Sequence, residues 1–205
     1  MNRNVLTATV AGLIREQLLH KKSAVVHVIS NSMNPLIHSE DQIIVNFAAF
    51  DKLQAGEIIL YENEVSYCVH RYVGQYSNGA DTMIITKGDN LKHFDPPFPA
   101  TKILGKVTCI STQNRMIDLR CFVSRAIHNI LGALLNFQWR VINKVNHHSL
   151  ICKIQRALMN HCFYVINYSL SWIHRNLKVI NIYGVKQRTK VDSAVCKSKT
   201  NRCNY

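Results

Sequence analysis

The sequence predicts an α+β fold, in which an N-terminal helix precedes a mainly antiparallel β domain and a basic helical extension follows it. Short β-branched runs separated by turn residues recur through the first 119 residues, which is typical of antiparallel sheets. Residues 1–119 hold 11 Lys/Arg and 11 Asp/Glu, whereas residues 120–205 hold 14 Lys/Arg and one acid, Asp192. The whole net charge of +13 therefore lies after residue 119, which predicts a domain boundary there.

Apolar residues at helical spacing predict a helix over residues 4–20, and a β-branched run predicts a first strand over 24–29. In a later strand, alternation places His70 on one face and Arg71 on the other. A loop over 89–99 contains three prolines and joins the last two strands. Compact or alternating runs predict the remaining strands over 42–46, 57–61, 65–73, 82–87 and 102–110.

Two apolar stripes at helical spacing follow residue 119, and basic residues lie among them. They predict amphipathic basic helices within an extension over 120–185. Such helices could pack on the core or on each other, bind the surface of an anionic membrane, or bind nucleic acid. From residue 186 to 205 the chain is polar and basic, which predicts a disordered tail. The stripes comprise Val123, Ile127, Ile130, Leu131, Leu134 and Leu135, then Ile151, Ile154, Leu158, Cys162, Val165 and Ile166.

The seven cysteines are irregularly spaced and none forms a C-x-x-C pair, which predicts reduced thiols, no metal site and no cofactor. Glu16 closes the short apolar segment near the N-terminus, so no cleavable signal peptide is predicted. The longest uncharged stretch, residues 157–174, is too polar to predict a membrane span. The protein is therefore expected to be cytoplasmic or peripherally associated with a membrane.

A serine-rich turn, Ser30-Asn31-Ser32-Met33-Asn34-Pro35, stands between two apolar runs. A serine on a sharp turn can act as a nucleophile, provided that a base removes its proton and donors stabilise the oxyanion. His70 can supply such a base, since an unperturbed histidine has a pKa near 6.5. A carboxylate on the other ring nitrogen would fix the tautomer, and Asp89 and Asp95 are both candidates.

Seven segments in a fixed order carry a resemblance to a known family. They are SNSMNP, EDQIIVN, AGEIILY, CVHRYVG, ITKGDN, FDPP and ILGKV. This series, over about residues 13–118, resembles the signal peptidase I and LexA-type serine peptidases, and within them the branch that uses histidine as base. The resemblance implies a signal peptidase/LexA-like fold and a peptidase domain over 1–119. The sequence departs from that family in two ways. No N-terminal transmembrane anchor is predicted, and Asn31 stands where many relatives have a small residue.

The resemblance implies a catalytic group of Ser32 as nucleophile, His70 as base and an acidic partner. Ser30 and the backbone N–H of Ser32 match the oxyanion hole. Asp95 is predicted to orient His70, whereas Asp89, which also matches an acidic position, is predicted to shape the loop.

The leading functional prediction is a serine endopeptidase that removes leader or signal peptides, with an extended peptide as substrate and an anionic membrane as possible partner through residues 120–185. The alternative is a self-cleaving LexA-like regulator whose basic part binds nucleic acid and whose Ala11-Gly12 bond is cut. No helix-turn-helix pattern precedes the sheet, so a nucleic-acid partner is not favoured. A catalytically silent binding module is the third possibility, which the presence of serine, histidine and acid together disfavours.

Overall fold

One eight-stranded antiparallel sheet, curled into a half-barrel, forms the centre of the protein, and three helices flank it. The computed structural model describes residues 3–63, 67–113, 115–144 and 150–176. The helices are α1 Arg3–Lys21, α2 Phe122–Lys144 and α3 Leu150–Asn176. The strands are β1 Ser23–His27, β2 Gln42–Asn46, β3 Ile58–Glu62, β4 Tyr67–Asn78, β5 Asp81–Lys87, β6 Phe98–Pro99, β7 Ile103–Ser111 and β8 Met116–Asp118.

The strand order is β1-β2-β7-β3-β4-β5-β6, and β8 pairs with the end of β7. Each pairing is antiparallel, so the predicted α+β class and the antiparallel sheet are confirmed. Strand β7 lies between β2 and β3, so the chain crosses back over the sheet after the β4–β5 hairpin. The turn that follows β1 contacts β4 through Ser32 and His70.

Most predicted elements are present, with shifted ends. β2 has the predicted bounds, whereas β1 ends at His27 and leaves Ile29 outside it, 85% exposed. β6 and β8 were not predicted, because two or three residues are too few to show alternation. Residues 64–66 and the predicted disordered tail over 186–205 lie outside the described residues.

The main core lies between the sheet and α1. Ile14 and Leu18 of α1 reach it, and Leu36 from the turn after β1 is fully buried there. Each such side chain contributes about 1.5–3 kcal/mol on burial. The turn that carries Ser32 is therefore attached to the most stable part of the protein.

The two C-terminal helices pack differently from each other. In α2 the predicted stripe faces the protein only in part, since three of its six residues are buried and two, Val123 and Ile130, are exposed. The buried ones are Ile127, Leu131 and Leu135. In α3 the predicted stripe faces outward, since Leu158 and Val165 are exposed, so packing of α3 on the core through that stripe is wrong. Within the described ranges, no helix is both long and apolar enough to cross a membrane.

Two buried histidines meet where α2 and α3 pack together. The rings of His128 and His174 have centroids 5.3 Å apart. The Ser124 hydroxyl donates to the Asp118 carbonyl, so His174 Nε2–H donates to Ser124 Oγ at 2.7 Å. Burial, assisted by the charge of Arg71, lowers the pKa of His128 to about 2 and that of His174 to about 4.

We expect acidification to destabilise this contact. Both histidines are neutral in the fold at a pH where the unfolded chain binds protons, so their contribution is present above about pH 6.5 and is lost as pH falls toward 4. Each should remove about 1.4 kcal/mol of unfolding free energy per pH unit in that range. Urea unfolding at several pH values measures the slope.

Two matched variants test this dependence of the unfolding free energy on pH. His174→Gln should make the slope shallower, whereas His161→Gln, on the exposed surface of α3, should leave it unchanged. An unchanged slope in His174→Gln would contradict the assignment.

Candidate active site

The turn that carries Ser32 joins β1 to β2 and is held from both ends. Val28 N–H donates to the Asp41 carbonyl at 2.9 Å, and Glu40 N–H donates to the Val28 carbonyl at 2.7 Å. Directly after Ser32, Met33 is 1% exposed and anchors the turn in the core. The half-buried Ser32 hydroxyl is thus supported by a rigid backbone.

The structure brings three of the predicted residues into one hydrogen-bonded line. His70 projects from β4 and is 6% exposed. Its Nε2 accepts from the Ser32 hydroxyl at 3.1 Å, and its Nδ1–H donates to Asp95 Oδ2 at 2.6 Å. An arrangement of this kind allows a serine to act as a nucleophile, with the histidine as base and the carboxylate as the acid that orients it.

Asp95 is held by two residues, Thr86 and Tyr61, that the sequence patterns did not identify. Its backbone N–H donates to the Thr86 carbonyl at 3.0 Å, and the Thr86 hydroxyl donates to Asp95 Oδ2 at 2.6 Å. The Tyr61 hydroxyl also donates to Asp95 Oδ2, at 3.3 Å, and burial raises the pKa of this phenol so that it remains a donor. Both residues lie in segments of the family resemblance, but only the pairing of the strands shows that they meet at one carboxylate.

Ser30, predicted to be an oxyanion-hole residue, lies beside Ser32. Its Oγ is 3.3 Å from Ser32 Oγ. Because the Ser32 proton is directed to His70, the Ser30 hydroxyl can donate to Ser32 Oγ. An oxyanion formed on a carbon bonded to Ser32 Oγ would lie within the same reach.

Asp89 occupies a different place. Its carboxylate forms a bidentate pair with Arg71, with Nε–Oδ1 at 2.8 Å and Nη2–Oδ2 at 2.6 Å, and both side chains are fully buried. The Ser171 hydroxyl of α3 donates to Asp89 Oδ2 at 3.0 Å, and Arg71 Nη1 donates to the Gly56 carbonyl. Asp89 therefore does not join the line through His70.

The loop around Asp89 nevertheless fixes the serine turn. Asn90 N–H donates to the Ser32 carbonyl at 2.9 Å, and the Asn90 amide donates to the Asn31 carbonyl at 3.2 Å. A Cβ at Gly88 would lie 2.8 Å from the Ser32 carbonyl oxygen, so only glycine allows this approach. Asn31, the departure from the family pattern, accepts a hydrogen bond from Ser39 N–H.

Helix α3 contacts both the loop around Asp89 and the turn that carries Ser32. Tyr164 donates to the Asn90 side chain at 3.0 Å, and Asn167 donates to the Asp89 carbonyl at 3.2 Å. Arg175 Nη1 donates to the Leu36 carbonyl at 2.6 Å, just after the serine turn. The extension is therefore part of the support of the site.

The Ala11-Gly12 bond, the cleavage point in the LexA-like alternative, lies inside α1, where the backbone is helical. Comparisons with known proteins add no family to this picture. No family model matches the chain, and no curated protein matches it.

Proposed function

We propose that this protein is a serine endopeptidase that cleaves peptide bonds through an acyl-enzyme at Ser32. The observation that carries the proposal is the continuous line from Ser32 Oγ to His70 Nε2 and from His70 Nδ1 to Asp95. A buried histidine that a carboxylate holds in one tautomer is poised to accept a hydroxyl proton.

The reaction follows from the hydrogen bonds. His70 takes the Ser32 proton as Oγ attacks the scissile carbonyl, while the Ser30 hydroxyl and the Ser32 backbone N–H stabilise the oxyanion. Protonated His70 then gives that proton to the leaving amine, and the acyl group stays on Ser32. His70 next removes a proton from water, which attacks the acyl carbon. It returns that proton to Ser32 Oγ as the acyl–oxygen bond breaks and the new carboxyl end leaves.

The substrate class rests on the sequence resemblance. The ordered segments from SNSMNP to ILGKV support a signal peptidase/LexA-like fold, and with it leader or signal peptides bound in extended form. An extended strand suits the site, because Ser32 follows β1 at the edge of the sheet.

The direct test incubates the full chain with a library of unstructured peptides and reads new termini by mass spectrometry. A single type of cleavage should appear, with a rapid initial burst of one product per enzyme if deacylation limits turnover. His70→Gln should remove both the cleavage and the initial burst. Cleavage that survives in His70→Gln would reject the proposal.

Ser30→Ala is expected to lower kcat by about 10²- to 10³-fold with little change in KM, because one oxyanion donor is lost in the transition state alone. Peptide hydrolysis over a range of substrate concentrations separates the two constants. Ser77→Ala, at an exposed serine in the β4–β5 hairpin, is the matched control and should retain full activity. An unchanged kcat in Ser30→Ala would remove Ser30 from the oxyanion hole.

A further inference from the structure

Helix α3 turns polar side chains toward the protein and apolar side chains outward. Asn167, Ser171 and His174 face inward and are 3%, 0% and 1% exposed. Large apolar residues on the opposite side are exposed, namely Ile154, Leu158, Val165, Ile166, Trp172 and Ile173. This reverses the arrangement of a helix whose apolar stripe packs on its own protein.

The inward residues cannot exchange places with the outward ones. Asn167 and Ser171 hydrogen-bond to the buried Asp89, and His174 bonds to Ser124. A rotation of α3 that buried its apolar stripe would break these contacts and leave the Arg71–Asp89 pair with fewer partners. The outward direction of the stripe is therefore determined by the fold.

The outward stripe is continuous, and within the described side chains of α3 its exposed positions include no Lys, Arg, Asp or Glu. With the exposed Cys162 and Tyr168 included, its residues recur at intervals of three or four from Ile154 to Trp172, over roughly 30 Å of helix. Leu158 is 63% exposed and Trp172 is 55% exposed. A contiguous apolar surface of this kind marks a binding site rather than scattered surface residues.

We propose that this stripe binds at the surface of an anionic lipid bilayer, with α3 lying in the plane of the interface. Basic residues surround the stripe in the sequence, since residues 120–205 hold 14 Lys/Arg and one acid. Arg125 and Arg140 of the neighbouring α2 are exposed. An uncharged apolar face within a strongly basic segment matches the acyl chains and negative headgroups of such a membrane.

The same charge disfavours a second copy of the chain as the occupant. Two such surfaces would bring segments of +13 together, and like charges at an interface oppose association. Lipid binding requires no peptidase activity, so this proposal and the proposed function fail separately.

The test uses the full chain with vesicles of phosphatidylcholine alone or with one third phosphatidylglycerol. We expect the protein to sediment with the anionic vesicles and not with the neutral ones. Raising NaCl to about 1 M, where the Debye length is about 3 Å, should release it. Leu158→Asn should weaken binding about tenfold.

The matched control is Leu13→Asn on α1, because Leu13 is also exposed, at 57%, and lies outside the stripe. It should bind like the original protein, and circular dichroism verifies the fold of both variants. In a Trp139→Phe background Trp172 is the only tryptophan, and its emission should shift to the blue with anionic vesicles.

Three outcomes would overturn the proposal. They are failure to bind anionic vesicles, equal binding by Leu158→Asn, and a Trp172 emission that does not change. A stable dimer by sedimentation that ignores lipid would assign the stripe to a second copy. Salt-sensitive binding to DNA without lipid binding would assign the basic segment to nucleic acid.

Discussion

Replacing Ser32 by alanine is expected to abolish peptide cleavage while the protein stays folded. The Ser32 hydroxyl makes its hydrogen bonds to His70 and Ser30, and its removal leaves no buried charge. Members of such a group act as a unit, so the loss of one removes nearly the whole effect, about 10⁴- to 10⁶-fold in kcat. Single-turnover hydrolysis of a peptide identified in the library measures it.

His70→Ala should cost a similar amount, and the double variant Ser32→Ala/His70→Ala should be no slower than either single variant. Ser77→Ala, with its side chain in the distant hairpin, is the control for loss of a serine hydroxyl. Undiminished cleavage by Ser32→Ala would show that the nucleophile is another residue. Additive losses would show that Ser32 and His70 do not act together.

Asp95→Asn should lower activity and Asp89→Asn should lower stability, because the two carboxylates have different partners. In Asp95→Asn the new side-chain amide can present its N–H₂ to His70 Nδ1, which favours the wrong tautomer and leaves the Ser32 proton without an acceptor. The expected fall in kcat is about 10⁴-fold with the fold retained. Steady-state kinetics and thermal unfolding of the same sample separate the two effects.

Asp89→Asn should reduce stability first. It leaves the Arg71 guanidinium buried at 0% exposure without its counter-charge, and breaking such a pair costs about 3–5 kcal/mol. That is a large fraction of the roughly 5–15 kcal/mol that stabilises a domain. Asp51→Asn, at an exposed aspartate, is the control and should unfold like the original protein.

A result in the reverse order, with kcat lost in Asp89→Asn and unfolding in Asp95→Asn, would exchange the two roles. Equal losses of activity at full stability in both variants would show that neither carboxylate alone orients His70.

Local patterns in the sequence determine most of the elements. Alternation and helical spacing are properties of neighbouring residues, so α1, β2 and the faces of His70 and Arg71 could be predicted directly. The same patterns identify Ser32 and His70 as candidates, because their chemistry depends on residue type.

Only the tertiary structure decides which acid serves His70. Asp89 and Asp95 stand six residues apart, and both match acidic positions in the resemblance, so the choice of Asp95 was a prediction that no local pattern could test. The hydrogen bond from His70 to Asp95 joins strand β4 to a loop 25 residues away, and its formation depends on the path of the chain between them. The pairing of Asp89 with Arg71 depends likewise on α3, whose Ser171 lies 82 residues further along the chain.

The orientation of α3 has the same origin. An amphipathic sequence defines two faces of a helix but does not determine which one faces the protein, since that depends on the groups against which the helix packs. Here those groups are the buried carboxylate and carbonyl of Asp89, which require hydrogen-bond donors. Asn167 and Ser171 of α3 are those donors. Residue spacing alone therefore predicts that α3 has an apolar stripe, whereas the buried polar groups of Asp89 in the folded protein direct that stripe outward.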